Sequence, residues 1–143
     1  MGMRRRARET ALQVLYQMDV QPELSVSPSI ERAFAHFAEE VAVAGDTAAP
    51  EARAFAERLV RGVYEKLAEI DTQIVAASRN WRIERMGRVD RNLLRLAIYE
   101  MRYCGDIPPK VALNEAIEIA KRYGAAETPA FINGILDRVL AEP

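Results

Sequence analysis

The sequence predicts an all-helical (all-α) protein of about seven helices, and three observations carry that prediction. Apolar residues recur at spacings of three and four almost throughout, no run alternates convincingly with period two, and helix-starting and helix-stopping residues punctuate the chain. Length and composition agree, because 143 residues, 50% of them hydrophobic, can bury a core without help from a disulfide or a metal. Cys104 is the single cysteine, so no internal disulfide forms, which suits a reducing compartment.

The first helix is expected from about Arg5 to Val20, with Ala11, Val14, Leu15 and Met18 on one face and Pro22 beyond its end. Ser27 is a candidate cap for the second, with Pro28 at its first position, where a missing N–H costs nothing. Ile30, Phe34 and Phe37 give it an apolar stripe up to about Val43. Ala44 to Pro50 reads as a small-residue linker. Phe55, Leu59, Val63 and Leu67 step by four along a third helix starting near Pro50, and Ile70, Ile74 and Val75 continue the pattern into a fourth segment. A break near Asp71 is left open. Asn80 to Gly87 is polar and ends in glycine, as a connection does.

From about Arg88 to Cys104 runs the most apolar helix, its second half hydrophobic around most of the circumference, which places it at the centre of a bundle. Gly105, Pro108 and Pro109 end it and begin the next. The sixth helix buries Leu113, Ala116, Ile117 and Ala120 and closes at Gly124. The seventh opens with Thr128 as cap and Pro129 first, and buries Ile132, Ile135, Leu136 and Val139. Arg8, Glu9, Gln13 and Gln17 interrupt any apolar leader, and no run approaches the roughly 20 residues of a spanning helix. A soluble, cytoplasmic protein with no membrane contact is expected.

Charge is polarised although the net charge is only −1. Arg4, Arg5, Arg6 and Arg8 crowd the first eight residues, and a second series runs Arg79, Arg82, Arg85, Arg88, Arg91 and Arg95. Positive side chains in a first helical turn oppose the macrodipole and repel one another, and a phosphate-bearing partner would offset both penalties. The plain alternative is a solvated basic tail. Thr10, Gln13 and Tyr16 follow at helical spacing and can add polar and stacking groups, a combination frequent in single-stranded RNA recognition, although Tyr16 reads equally as a core tyrosine. The later series reads either as a solvated helix face or as part of a partner surface.

Asn133–Gly134 would signal a hairpin, but the flanking Phe131, Ile132, Ile135 and Leu136 have helical periodicity. A glycine inside a helix costs about 1 kcal/mol relative to alanine, so either close helix packing or close approach of a ligand backbone is expected there. Catalysis finds no support: His36 is the only histidine, one cysteine and one histidine make no zinc site, and no phosphate loop, dinucleotide fingerprint or nucleophile elbow occurs. No catalytic residue, metal or cofactor is expected.

Two stretches together resemble the NusB family of bacterial transcription antitermination factors. One is Arg4-Arg5-Arg6-Ala7-Arg8-Glu9 with Ala11, Gln13, Leu15 and Tyr16. The more specific one comprises Val89-Asp90-Arg91, the run Leu94 to Met101, Pro108, the run Lys110 to Lys121 and the run Phe131 to Asp137. The resemblance implies two three-helix bundles lying perpendicular, seven helices in all, with the bundles at about residues 1–80 and 81–143 of a single domain. It implies binding of the single-stranded boxA element of nascent RNA jointly with NusE, a small-subunit ribosomal protein. The pair would then join other Nus factors and RNA polymerase and promote read-through in ribosomal RNA operons.

Carried over residue by residue, the resemblance implies RNA contacts by Arg4, Arg5, Arg6 and Arg8, with Gln13 and Tyr16 beside them and Glu127 and Phe131 bordering the site. It assigns Asp90, taken as exposed, with Arg95 and Tyr99, to the NusE-facing region. Two departures bear on the site: Ala130 stands where a lysine is frequent, and Glu127 puts an acid beside RNA. The rival reading is a protein–protein scaffold, NusE-binding or a homodimer, with little RNA affinity of its own. The same module as the leading domain of an rRNA cytosine methyltransferase is disfavoured, since no cofactor-binding sheet follows Pro143.

Overall fold

The computed structural model describes residues 2–33, 35, 49–79 and 81–142, and every regular element among them is helical. Seven α-helices and one short 3-10 turn follow in order: α1 (Met3–Val20), α2 (residues 26–33), α3 (Ala49–Glu65), α4 (Leu67–Ala77), the turn Ile83–Arg85, α5 (Arg88–Tyr103), α6 (Pro109–Tyr123) and α7 (Thr128–Ala141). His36, Phe34, Phe37 and the linker residues 44–48 lie outside the described residues.

Contacts divide the chain into two compact units, Met1–Arg61 and Gly62–Pro143. The division falls within α3, and α4 packs on α5 and α7 of the second unit.

In the first unit, α1 buries Ala7, Ala11, Val14, Leu15 and Met18, the stripe that its periodicity predicts. Ile30 of α2 and Ala52, Phe55, Ala56, Leu59 and Val60 of α3 complete this core. Helix α2 begins one residue before Ser27, and the Ser29 amide donates to the Ser25 carbonyl, so Ser25 rather than Ser27 stands before the helix. Pro28 still falls within the first turn, where the amides need no intrahelical acceptor. The Ser27 hydroxyl has other work: it accepts a hydrogen bond from Arg61 at 2.8 Å.

The break between α3 and α4 sits at Lys66, not near Asp71. Lys66 accepts the Ile70 amide while donating its own to Gly62, so the backbone turns with little loss of bonding. In the second unit α5 packs against α4, α6 and α7, and its Leu93, Leu94, Leu96, Ala97 and Ile98 are all but fully buried. It holds the centre that its all-round hydrophobicity predicts. Val75 departs from the expected stripe and is exposed, as is Val111. Pro109 opens α6, and Lys121 and Arg122 in its last turn suit the negative end of the helix dipole.

Gly124 does close α6, though not through a left-handed conformation, since its φ is −90°. A Cβ there would lie 2.6 Å from the Thr128 side chain, so the turn into α7 needs the space that glycine leaves. Thr128 is the first residue of α7 and Glu127 occupies the capping position without a side-chain bond, one residue earlier than expected. The Thr128 hydroxyl instead accepts the Ala125 amide at 3.0 Å and donates to Asp90 at 2.9 Å.

Candidate functional site

The basic end of α1 belongs to the first unit. Its first turn contains no acidic residue, and its capping residue Gly2 has no side chain to bond the first amides, so Arg4, Arg5 and Arg6 stand at the positive end of the dipole. At 100° per residue, Arg5, Arg6, Gln13 and Tyr16 fall on one side of the helix. Gln13 and Tyr16 are exposed, Tyr16 to 41%, and Arg5 and Arg6 are half-buried.

Arg8 does not join that face. It is only 4% exposed, and its guanidinium carbon lies 5.2 Å from the centre of the Phe55 ring. The reason is helical phase: Arg8 follows Arg4 by one turn and shares the side of the buried Ala11 and Leu15. Arg4 stacks on the same ring, at 4.4 Å, but remains exposed. Thr10 is buried and gives its hydroxyl proton to the Arg6 carbonyl at 3.0 Å, a local helix bond rather than a surface group.

Glu127 and Phe131 belong to the second unit. Glu127 is exposed and Phe131 half-buried. Against Phe131 stands Trp81, 53% exposed, with ring centroids 5.5 Å apart and planes at 70°. Sequence reasoning passed Trp81 over, although a lone tryptophan in a polar, arginine-rich connection fits no apolar stripe and was the available signal. Gly134 is not packed closely: a Cβ there would meet nothing within 4 Å, so the expectation of tight helix packing fails.

The three expected partner-facing residues are bound into the second unit. Asp90 is half-buried rather than exposed, and accepts the Thr128 hydroxyl. Arg95 forms a two-pronged ion pair with Asp71, at 2.8 and 3.0 Å, and a third bond to Asn92 at 3.1 Å. Its side chain is 12% exposed. Tyr99 is half-buried, stacks on Tyr103 at 5.8 Å and lies over Gly62. The arginine series is no single stripe, since Arg79 to Arg85 lie before α5 and Arg91 reaches back to the Ile83 carbonyl at 3.4 Å. Arg82 pairs with Glu84 at 3.0 Å. The Glu84 carboxyl is held below its usual range by a backbone hydrogen bond and by Arg82.

A cleft of about 800 Å³ opens among Gln73, Arg79, Arg102, Tyr103, Arg138 and Glu142. Arg102 donates to the Val139 carbonyl at 2.7 Å and Arg138 to that of Ala77, so these two guanidinium groups cap the ends of α7 and α4. Among the described residues no three His, Cys, Asp or Glu side chains gather as a metal site, and Cys104 is buried. None of their helices is long and apolar enough to cross a membrane.

Comparison with known proteins shows what the chain is similar to. The NusB family model matches residues 5–141. A transcription antitermination protein NusB of Trichlorobacter lovleyi is 50% identical over 143 residues, covering 100% of this chain and 94% of the relative. That of Myxococcus xanthus is 47% identical, covering 97% and 95%. Among solved structures, T. maritima NusB superposes with a TM-score of 0.79 at 37% identity, covering 97% of this chain and 91% of that one. A structure of the antitermination factors NusB and NusE in complex with dsRNA matches at 0.74 and 28% identity, covering 97% and 96%.

Proposed function

The chain belongs to the NusB family, and on that premise we propose that it binds single-stranded boxA RNA jointly with ribosomal protein NusE, as a cytoplasmic adaptor. NusB is a non-enzymatic family, so the work is recognition rather than chemistry. The relatives are transcription antitermination proteins, and one homologue was crystallised with NusE and RNA. Joining other Nus factors and RNA polymerase to promote read-through in ribosomal RNA operons belongs to the same proposal.

The observation that carries the RNA reading is the start of α1. Three arginines occupy a helix end with no acid in its first turn, on the helix that exposes Gln13 and Tyr16. Phosphate oxygens at that end meet both guanidinium donors and the dipole, and Tyr16 offers a face for base stacking. Phe131 with Glu127 at the start of α7 is the second contact region proposed.

Fluorescence anisotropy of a short boxA RNA, with and without NusE at two salt concentrations, tests this. Salt-sensitive binding that NusE strengthens is expected, and no binding under any condition from the folded protein would overturn it. A protein–protein scaffold is favoured by one observation, the burial of Arg8, which thins the basic face. NusE capture without RNA affinity would select that reading, and sedimentation of the protein alone would detect a homodimer.

A further inference from the structure

Trp81 has the largest exposure, 53%, of any large hydrophobic side chain in the described residues. An indole left half in water forgoes much of the stabilisation that its burial would give. Described residues on either side of it are nevertheless held in place. The Ser78 hydroxyl, itself buried, contacts the carbonyls of Val75 and Trp81 at 3.2 and 3.4 Å. Beyond the tryptophan, Arg91 holds the Ile83 carbonyl and Met86 is buried.

The edge-to-face contact with Phe131 has a geometric consequence. In such a pair one ring turns its edge to the other, so at least one broad face of the indole is left uncovered by Phe131. Along the chain its flanking charge is mostly positive. Arg79, Arg82, Arg85 and Arg88 are all exposed, and Glu84 is the only acid between residues 79 and 88. Arg79 holds φ at 56°, a left-handed conformation that strains a non-glycine residue. One turn along α7 from Phe131, Gly134 leaves open space where any side chain would project, although alanine would favour the helix.

A ligand that uses an open aromatic face, several guanidinium groups and a bare stretch of helix must carry flat rings and negative charge on one strand. We propose that Trp81 and Phe131, with Gly134 beside them, form a stacking subsite for an unpaired base of single-stranded RNA. Arg79, Arg85 and Arg88 hold the adjoining phosphates, Arg82 being paired with Glu84. The subsite rests on the RNA reading above but uses residues that reading does not assign, apart from Phe131.

Trp81 is the only tryptophan, so its emission reports this subsite alone within the chain. The experiment follows boxA RNA binding by anisotropy and Trp81 emission in parallel, with and without NusE, using Trp81→Phe as the emission blank. Emission is expected to fall in step with anisotropy. Trp81→Ala should weaken binding roughly 5- to 150-fold, the usual range for one stacked base, while Trp81→Phe keeps most of the affinity. Gly134→Ala should weaken RNA binding by roughly threefold or more while the melting temperature holds or rises, since the methyl meets no protein atom.

RNA binding with unchanged emission and wild-type affinity in Trp81→Ala would overturn the subsite and leave the RNA reading standing. Quenching by NusE alone, with none added by RNA, would overturn it in favour of a protein-docking surface. No anisotropy change under any condition would overturn both readings.

Discussion

Thr128 and Asp90, 38 residues apart, are joined by a 2.9 Å hydrogen bond from hydroxyl to carboxylate, and the same hydroxyl accepts the Ala125 amide. Thr128 is 1% exposed, so removing its acceptor strands a buried donor. Asp90→Ala is therefore expected to lower stability by about 1–3 kcal/mol in urea denaturation, and Asp90→Asn, which keeps an acceptor, by less. A double-mutant cycle with Thr128→Val should show coupling above about 0.5 kcal/mol, and additivity would dismiss the bond as a stabiliser. Because Asp90 was read as partner-facing, Asp90→Asn is also the variant that separates its charge from its structural role in NusE binding.

Gly62 and Tyr99 make a second dependence. A Cβ at position 62 would lie 2.0 Å from the tyrosine ring, and no small adjustment clears that distance. Gly62→Ala should destabilise the protein by about 1–3 kcal/mol in spite of better helix propensity. Tyr99→Leu should recover part of that loss in the double variant, whereas a loss unaffected by it would place the strain elsewhere.

Most of the fold could be read from the sequence, because each helix carries its own periodic stripe and α5 its all-round apolarity. What periodicity does not contain is a bond between distant elements. The pairs Arg95–Asp71 and Thr128–Asp90 decide that two exposed-looking polar residues are structural, and neither is visible in a single segment. The break at Lys66 was missed because the stripe runs through it without changing phase. At the candidate site the arginine cluster was legible as a cluster, but the phase that turns Arg8 onto Phe55 was not weighed. Trp81 escaped notice because an aromatic residue without a stripe looks like loop composition until its exposure is known.

Tyr103 gives the fold a pH dependence at its alkaline end. Partial burial, and then hydrogen bonding to Glu69 at 2.9 Å, raise its phenol above the ordinary value of 10.0. The folded state thus holds the proton more tightly than the unfolded chain. The stability this contributes is complete below pH 10 and is lost as pH rises through the raised folded value. Urea midpoints measured between about pH 9 and 11.5 should fall more steeply for the wild type than for Tyr103→Phe. Parallel curves would show that the hydroxyl does not sense the fold.

Arg8 and Arg6 lie two positions apart on α1, and their substitutions should separate stability from binding. Arg8 is 4% exposed and stacked against Phe55, so Arg8→Ala removes a buried cation–π contact and its packing. A loss of about 1–2 kcal/mol in stability is expected, with RNA affinity nearly unchanged at temperatures where the variant is folded. Arg6 is half-buried on the side of Gln13 and Tyr16, so Arg6→Ala should leave stability within about 0.5 kcal/mol and weaken RNA binding. With Arg4, Arg5 and Arg6 as the phosphate contacts, the log–log salt slope for a single strand should be about −2, and Arg6→Ala should reduce its magnitude by about 0.7. An Arg8→Ala variant that stays fully stable yet loses RNA binding and salt slope would show that its guanidinium leaves Phe55 to meet the strand, and that the buried position belongs to the free protein alone.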